Sequence, residues 1–268
     1  MTWKPYLVRL RVLSPIHIGW RKTGNLQQTR PYVTGKTLWG ALTARLVRDR
    51  GENKYQEIGA EVDEKLRFTY FYPSTISDKV ERWPWDNPDW FSWVYLGSYA
   101  STAIEEKTAE EGTLHETEYI APRTRDGKAL YLIGYIIEKE GCELTWREAL
   151  KRIQIGGERG YGWGRIELSD KPEKVDTCFD CDHDGTGSSP QLTVPKDSPI
   201  LAHTLADAFE CKGRIEPLVG RETTENKGFG GALSKAEVCW TPGSVVKSEM
   251  VFVISEKGIW HYKKTLST

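Results

Sequence analysis

A glycine-rich segment between Gly156 and Arg165 carries the residue types best suited to binding a phosphate. Five of its first nine residues are glycine, and arginine and aromatic residues lie between them. Glycine lets backbone N–H groups approach an anion closely and tolerates positive φ. Arginine binds phosphate through paired N–H groups, and aromatic rings stack on unpaired bases, so the segment predicts a site for single-stranded RNA. The residues expected at this site are Gly156, Gly157, Arg159, Gly160, Tyr161, Gly162, Trp163, Gly164 and Arg165.

Two other nucleotide-binding loops do not fit this segment. A mononucleotide phosphate loop requires Gly-Lys-Ser/Thr, which is missing here. A dinucleotide fingerprint follows a strand and opens a helix, whereas this segment follows a predicted helix and precedes a predicted strand. The alternative that stays open is a glycine-rich turn that only lets the last strand enter its sheet.

The elements that must position the glycine-rich segment form an alternating series. The predicted series is a strand at 6–12, a helix at 37–48 capped by Thr37, strands at 114–120 and 129–137 joined by Asp126-Gly127, a helix at 146–153 and a strand at 165–168. This order predicts an α+β protein whose first part is a ferredoxin-like (RRM-like) β-α-β-β-α-β domain with an insertion after the first helix.

The remaining organisation follows from composition shifts along the chain. We expect the first domain to span 1–170 with an inserted segment at about 52–112, a linker or loop at 171–190, and a second, β-rich half at 191–268 that is a degenerate ferredoxin-like unit. The insertion is dense in aromatic residues between Tyr70 and Tyr95. Those rings fit the core of an inserted subdomain, or else a surface for a neighbouring subunit or for base stacking.

Composition excludes several classes of protein. The chain has 268 residues with 37 Lys+Arg against 38 Asp+Glu, so a uniformly basic nucleic-acid coat is excluded but a local basic groove is not. No apolar run is long enough for a membrane span, and the first residues lack the apolar core of a signal peptide. Five cysteines argue against a disulfide framework. We expect a soluble cytoplasmic protein without membrane partners.

A second short motif raises the question of a metal. Cys178 and Cys181 form a Cys-x-x-Cys pair with His183 close by. A structural zinc site needs four ligands, and the remaining cysteines are single and remote in the sequence. The favoured interpretation is two loop cysteines among acidic residues, with no metal or other cofactor.

Three segments together resemble the RAMP superfamily of CRISPR effector complexes. Ser14-Pro15-Ile16-His17-Ile18-Gly19 is similar to the family's first-strand exit, and residues 31–42 resemble its turn and small-residue helix start. Residues 156–165 resemble its signature glycine-rich loop. Residues 214–222, 228–231 and 240–245 more loosely resemble the second half of the subunit that caps the guide's 5′ handle.

The resemblance implies a role for the chain and a set of partners. It implies a non-catalytic, Cas-five type subunit that holds the 5′ repeat-derived handle of a guide CRISPR RNA. Its implied partners are Cas-seven type backbone subunits, an effector nuclease subunit and, indirectly, target RNA. A Cas-seven type backbone subunit bound to the guide spacer is an alternative. Four basic residues around the first loop would extend the RNA groove, namely Arg21, Lys22, Arg30 and Lys36.

Cleavage of RNA is the other function that the resemblance leaves open. Some backbone subunits cut with an aspartate in the loop after the first strand, but residues 19–30 contain no Asp or Glu. Guide-processing relatives use a histidine near the N-terminal helix, and His17 is the one candidate in that part of the chain. The alternative function is therefore a metal-independent, guide-processing endoribonuclease in which His17 or Tyr161 assists at the scissile phosphate.

Overall fold

Most of the chain is described by a computed structural model, which covers residues 2–105, 107–206, 209–224 and 228–263. The elements of the first half are β1 (Trp3–Val12), β2 (Gly19–Thr23), β3 (Leu26–Thr29), α1 (Gly35–Arg50), α2 (Tyr55–Lys65), β4 (Leu66–Phe68), β5 (Tyr72–Ser74), α3 (Pro88–Tyr95), β6 (Leu96–Ser101), β7 (Ile104–Glu105), β8 (Thr108–Ala109), β9 (His115–Ile120), β10 (Tyr131–Lys139), α4 (Trp146–Leu150), a 3₁₀ turn (Arg159–Tyr161), β11 (Ile166–Leu168) and β12 (Glu173–Lys174). The mixture of helices and sheets confirms the α+β class.

The main sheet of the first half is antiparallel and has the order β11–β1–β10–β4. β5 also pairs with β10, and β12 also pairs with β1. Val8, Leu10 and Val12 alternate along β1, as its sequence predicts, and pack beneath α1 and α4 in one apolar core, whereas Trp3 belongs to a second core. β4 and β5 lie within the segment expected as an insertion, so that segment supplies edge strands to the main sheet.

The predicted hairpin between 114–120 and 129–137 is wrong. Both strands form, as β9 and β10, but β9 pairs with β3 and β6 in a separate four-stranded sheet. The Asp126-Gly127 turn joins them only locally, through a bridge between Arg123 and Ala129. Because β4 and β5 occupy the edge of β10, β9 is directed into another sheet, and sequence alternation alone does not select a strand's partner.

Helix α1 begins earlier than the sequence predicts. Its N-cap is Thr34 rather than Thr37, and the Thr34 hydroxyl accepts a hydrogen bond from the Thr37 backbone N–H at 3.4 Å. At Gly35 a Cβ atom would lie 2.8 Å from the backbone oxygen of Lys257. The first turn of α1 therefore needs glycine because a turn of the second half approaches it closely.

The second half is built on one eight-stranded sheet with the order β13–β14–β15–β23–β24–β16–β21–β18. Its elements are β13 (Thr177–Cys178), β14 (Cys181–Asp184), β15 (Gln191–Val194), β16 (Thr204–Leu205), β17 (Cys211–Lys212), β18 (Ile215–Leu218), β19 (Arg221–Thr224), β20 (Gly228–Leu233), β21 (Glu237–Trp240), β22 (Val245–Val246), β23 (Met250–Ile254), a 3₁₀ turn (Glu256–Gly258) and β24 (Trp260–Tyr262). No α-helix lies among its described residues. The stretch 171–190, expected as a linker, holds β12, β13 and β14.

The aromatic tract joins the two halves. Tyr70 and Tyr72 are buried in a second core together with residues of the eight-stranded sheet, and the Tyr72 hydroxyl donates to the Leu201 carbonyl at 2.7 Å. Trp83 and Trp85 stack at 5.2 Å between ring centroids and pack on the same core. These rings therefore hold the halves together rather than filling a subdomain of their own. No helix among the described residues is long and apolar enough to cross a membrane.

Candidate nucleic-acid interface

The glycine-rich segment is a tight bend held against the end of β1. Gly156 and Gly164 have φ of +81° and +82°, where only glycine is unstrained. A Cβ at Gly156 would lie 2.5 Å from the His17 carbonyl oxygen, and one at Gly164 would lie 2.0 Å from that of Ile155. The backbone N–H groups of Gly157 and Gly164 donate to the carbonyls of His17 and Pro15. The bend is thus fixed at both ends by backbone contacts.

The middle of the bend presents groups that can bind an anion. Among the hydrogen bonds of the described residues, none is donated by the backbone N–H of Arg159 or of Gly160. The Arg159 guanidinium donates from Nε to the Gly156 carbonyl at 3.0 Å and forms no ion pair with any described carboxylate. Burial and the positive charge of Arg48 lower the pKa of Arg159, so a bound anion would relieve an unfavourable electrostatic environment.

The two aromatic rings of the bend have different surroundings. Tyr161 is 79% exposed, and its ring is open to stacking. Trp163 is half-buried, with its ring edge-on to Tyr119 at 5.1 Å between centroids. The Tyr161 ring is therefore available for stacking, whereas the Trp163 ring packs on Tyr119 and braces the loop.

A cleft of about 1030 Å³ lies between the two halves, beside the glycine-rich bend. Its walls are the start of α1, one side of α2, and the parts of the second half around residues 218–222, 234–237 and 255–261. Of the predicted site residues, the cleft brings together His17, Arg30, Lys36, Gly156, Gly157 and Arg159. Its lining does not include Arg21, Lys22, Gly160, Tyr161, Gly162, Trp163, Gly164 and Arg165.

Arg30 lies in a buried ion pair rather than on an open surface. Its guanidinium is buried, with Nη1 2.5 Å from Glu216 Oε1. Burial would raise the pKa of Glu216, but the hydrogen bond from His203 and the charge of Arg30 outweigh it and hold the pKa well below its usual range. Arg30 is therefore already neutralised by a second-half carboxylate, which disfavours the expected contact of its guanidinium with a phosphate.

The other basic residues of the first loop remain near the surface. Arg21 is exposed, lies over the Trp20 ring at 4.2 Å and is 3.7 Å from Glu216. Lys22 is exposed on the same strand. Lys36 lines the cleft and pairs with Glu222 at 3.1 Å. A phosphate would compete with this half-exposed carboxylate for Lys36.

His17 is buried at the junction of β1 and the glycine-rich bend. Its Nδ1 is 2.7 Å from the Glu118 carbonyl, which can only accept, so Nδ1 carries a proton. In this tautomer Nε2 is the acceptor nitrogen. His17 lines the cleft, but no hydrogen bond joins its ring to another titratable side chain among the described residues.

The cysteine motif lies at a hairpin end. Cys178 and Cys181 are opposite each other in β13 and β14, and both are buried. Burial raises the pKa of the Cys181 thiol to about 11 and raises that of Cys178 as well. Zinc binds thiolates, which this environment disfavours, and the described residues contain no cluster of three or more potential metal ligands.

Several charged residues of the cleft were missed by the sequence analysis. The cleft is also lined by Asp63, Arg67, Arg221, Glu222, Lys235, Glu237, Glu256, Lys257 and His261. Most come from the second half, and only the folded chain brings them opposite the glycine-rich bend. One local signal existed: Arg67 is a charged residue between Leu66 and Phe68 in an otherwise apolar strand.

Comparison with known proteins gives one family and a set of similar folds. The RAMP superfamily model matches residues 9–167, more than half of the chain. A chain of a structure described as the Type III-B Cmr-beta bound to cognate target RNA and AMPPnP is similar over 90% of this chain and 86% of its own, with a TM-score of 0.51 and 14% identity. A chain of the Cmr-beta complex bound to cognate target RNA covers 63% of this chain and 96% of its own, with a TM-score of 0.41 and 12% identity. No curated protein matches the sequence.

Proposed function

Because the chain belongs to the RAMP superfamily, we propose that it is an RNA-binding subunit of a type III CRISPR effector complex. In that complex it would cap the 5′ repeat-derived handle of the guide RNA without cutting it. Its neighbours would be Cas-seven type backbone subunits and an effector nuclease subunit, with target RNA bound indirectly, in the cytoplasm. The order β11–β1–β10–β4 is fourth–first–third–second if β4, and not the predicted strand at 114–120, is taken as the second strand, and this order supports a ferredoxin-like first domain.

One observation carries the proposal: the glycine-rich bend presents unpaired backbone N–H groups next to an Arg159 that has no carboxylate partner among the described residues. Such a group of donors fits a phosphate oxygen. Tyr161 adds an exposed ring on the same bend. A cleft beside it gives an unpaired strand room to continue toward the second half.

The endoribonuclease alternative rests on His17. Its Nδ1–H is held by a carbonyl, which leaves Nε2 as a potential base. A general base needs a companion acid at the leaving-group oxygen, and Tyr161, the other candidate, does not line the cleft with His17. A metal-free cleavage assay on repeat RNA separates the functions, because the cap binds RNA that it leaves intact. The backbone alternative predicts several copies per guide in a purified complex, where the cap predicts one.

Binding to a fluorescent single-stranded RNA tests the proposal directly. We expect Arg159→Gln to weaken binding about tenfold at moderate salt, since a charge-assisted hydrogen bond is lost. Arg152→Gln is the matched control: Arg152 is exposed and pairs with Asp49 outside the cleft, so its loss should change affinity less than twofold. Failure of the parent chain to bind single-stranded RNA would refute the RNA-binding role.

A further inference from the structure

Arg67 is a buried cation without a carboxylate partner. The residue is 7% exposed, and no described acidic side chain lies within ion-pair distance of its guanidinium. Nη1 donates to the backbone carbonyls of Asp63 and Leu66, and the Trp3 ring lies 4.9 Å from the guanidinium carbon. Nε has no hydrogen-bond partner, and no bond from Nη2 is found among the described residues.

This arrangement is costly for the protein alone. A buried charge that is neither paired nor fully hydrogen-bonded destabilises the folded state. Burial accordingly lowers the pKa of Arg67, although the negative charges of Glu256 and Asp63 raise it. Arg67 lines the cleft, and Nη2, unlike Nε, is not among the buried polar atoms without a partner, so an anion in the cleft can reach Nη2. Nη2 can donate a charge-assisted hydrogen bond to a carboxylate or phosphate oxygen.

Helix α2 sets the distance between Arg67 and the glycine-rich bend. Tyr55, at the start of α2, is close enough to Arg159 to interact electrostatically with it, and Asp63 lies eight positions further along, next to Arg67. At 1.5 Å per residue the two ends are about 12 Å apart. The two arginines therefore lie near opposite ends of α2, far enough apart to contact different phosphates of one strand.

We propose that Arg67 binds an internucleotide phosphate of the same RNA strand that the glycine-rich bend holds, at a separate position along it. This inference rests on the proposed RNA-binding function and assigns a second phosphate contact within it. The phosphate would accept from Nη2, with Lys257 on the neighbouring wall of the cleft. Glu256 opposes the anion, but it is exposed and therefore screened by solvent.

Binding of labelled octauridylate to the full chain over a salt series tests the inference. We expect Arg67→Gln to weaken binding about tenfold. The plot of log affinity against log salt should become shallower, its negative slope losing about 0.7 in magnitude, the value for one phosphate contact on a single strand. The melting temperature without RNA should stay the same or rise, because a buried unpaired charge has been removed. Arg152→Gln again serves as the control.

The outcomes separate this inference from the proposed function. If the parent does not bind octauridylate, both fail. If Arg159→Gln weakens binding and Arg67→Gln leaves affinity and slope unchanged, only the Arg67 contact fails. Should Arg67→Gln not fold, Arg67→Lys decides: it keeps the charge and the salt slope but replaces the guanidinium Nη2 by a shorter ammonium, so about threefold weaker binding supports the contact and parental affinity overturns it.

Discussion

At the scale of single residues, Asp63 shows how the cleft changes the chemistry of a side chain. Burial raises the pKa of its carboxyl to about 7, although the charges of Lys257 and Arg67 lower it, and Glu256 adds to the rise. Oδ1 is buried and has no hydrogen-bond partner. Tyr55, at the start of α2, is a further titratable group that interacts electrostatically with Asp63. Asp63 is thus partly protonated near neutral pH, which reduces its repulsion of an anion at Arg67.

Replacing this carboxyl should alter how stability depends on pH. A raised pKa means that the folded state binds a proton more tightly than the unfolded state, so stability falls as pH rises from about 4 to about 7. Asp63→Asn removes that loss, and we expect it to stabilise the protein by up to about 2 kcal/mol near pH 8 and by little near pH 4. Urea unfolding at both pH values measures it. Equal effects at the two pH values would contradict the assigned titration.

At the scale of elements, the glycine-rich bend needs glycine at some positions only. Gly164 has positive φ and no room for a Cβ, whereas nothing lies within 4 Å of a Cβ at Gly160, whose φ is ordinary. We expect Gly164→Ala to lower stability by about 2 kcal/mol and to weaken RNA binding, because the bend must open. Gly160→Ala is the matched control and should preserve the melting temperature. Parental melting and RNA affinity in Gly164→Ala would show that the bend tolerates the change.

The same elements show what could be predicted from sequence. Alternation in β1, the apolar face of α1 and the glycines of the bend are local patterns, and the structure confirms those elements. The partner strand of β9 could not be predicted, because the alternation of residues along β9 is compatible with either sheet. Arg30 could not be distinguished from a surface arginine, because its partner Glu216 lies 186 positions away. The walls of the cleft depend on such distant contacts, which leave no periodic signal.

At the scale of the whole molecule, one buried polar network ties the two halves together. Arg30 belongs to the first half, whereas Glu216 and His203 belong to the second. The Tyr70 hydroxyl extends the network to His203 Nδ1 at 2.7 Å, and Trp20 Nε1 donates to the second oxygen of Glu216 at 3.0 Å. Because the network adjoins the shared aromatic core and Arg30 lines the cleft, the geometry of the cleft depends on its integrity.

Glu216→Gln tests whether the halves depend on this network. The change leaves the buried Arg30 without its counter-charge, which should cost about 3 kcal/mol in the free energy of unfolding. Glu173→Gln is the control, because Glu173 pairs with Arg9 at 2.7 Å through a side chain that is 58% exposed and should cost less than about 1 kcal/mol. Urea unfolding, followed by tryptophan fluorescence and by far-UV circular dichroism, measures both. In Glu216→Gln we expect the unfolding transitions seen by fluorescence and by circular dichroism to separate as the halves lose their coupling. An equal loss of unfolding free energy in both variants would mean that the aromatic core alone holds the halves together.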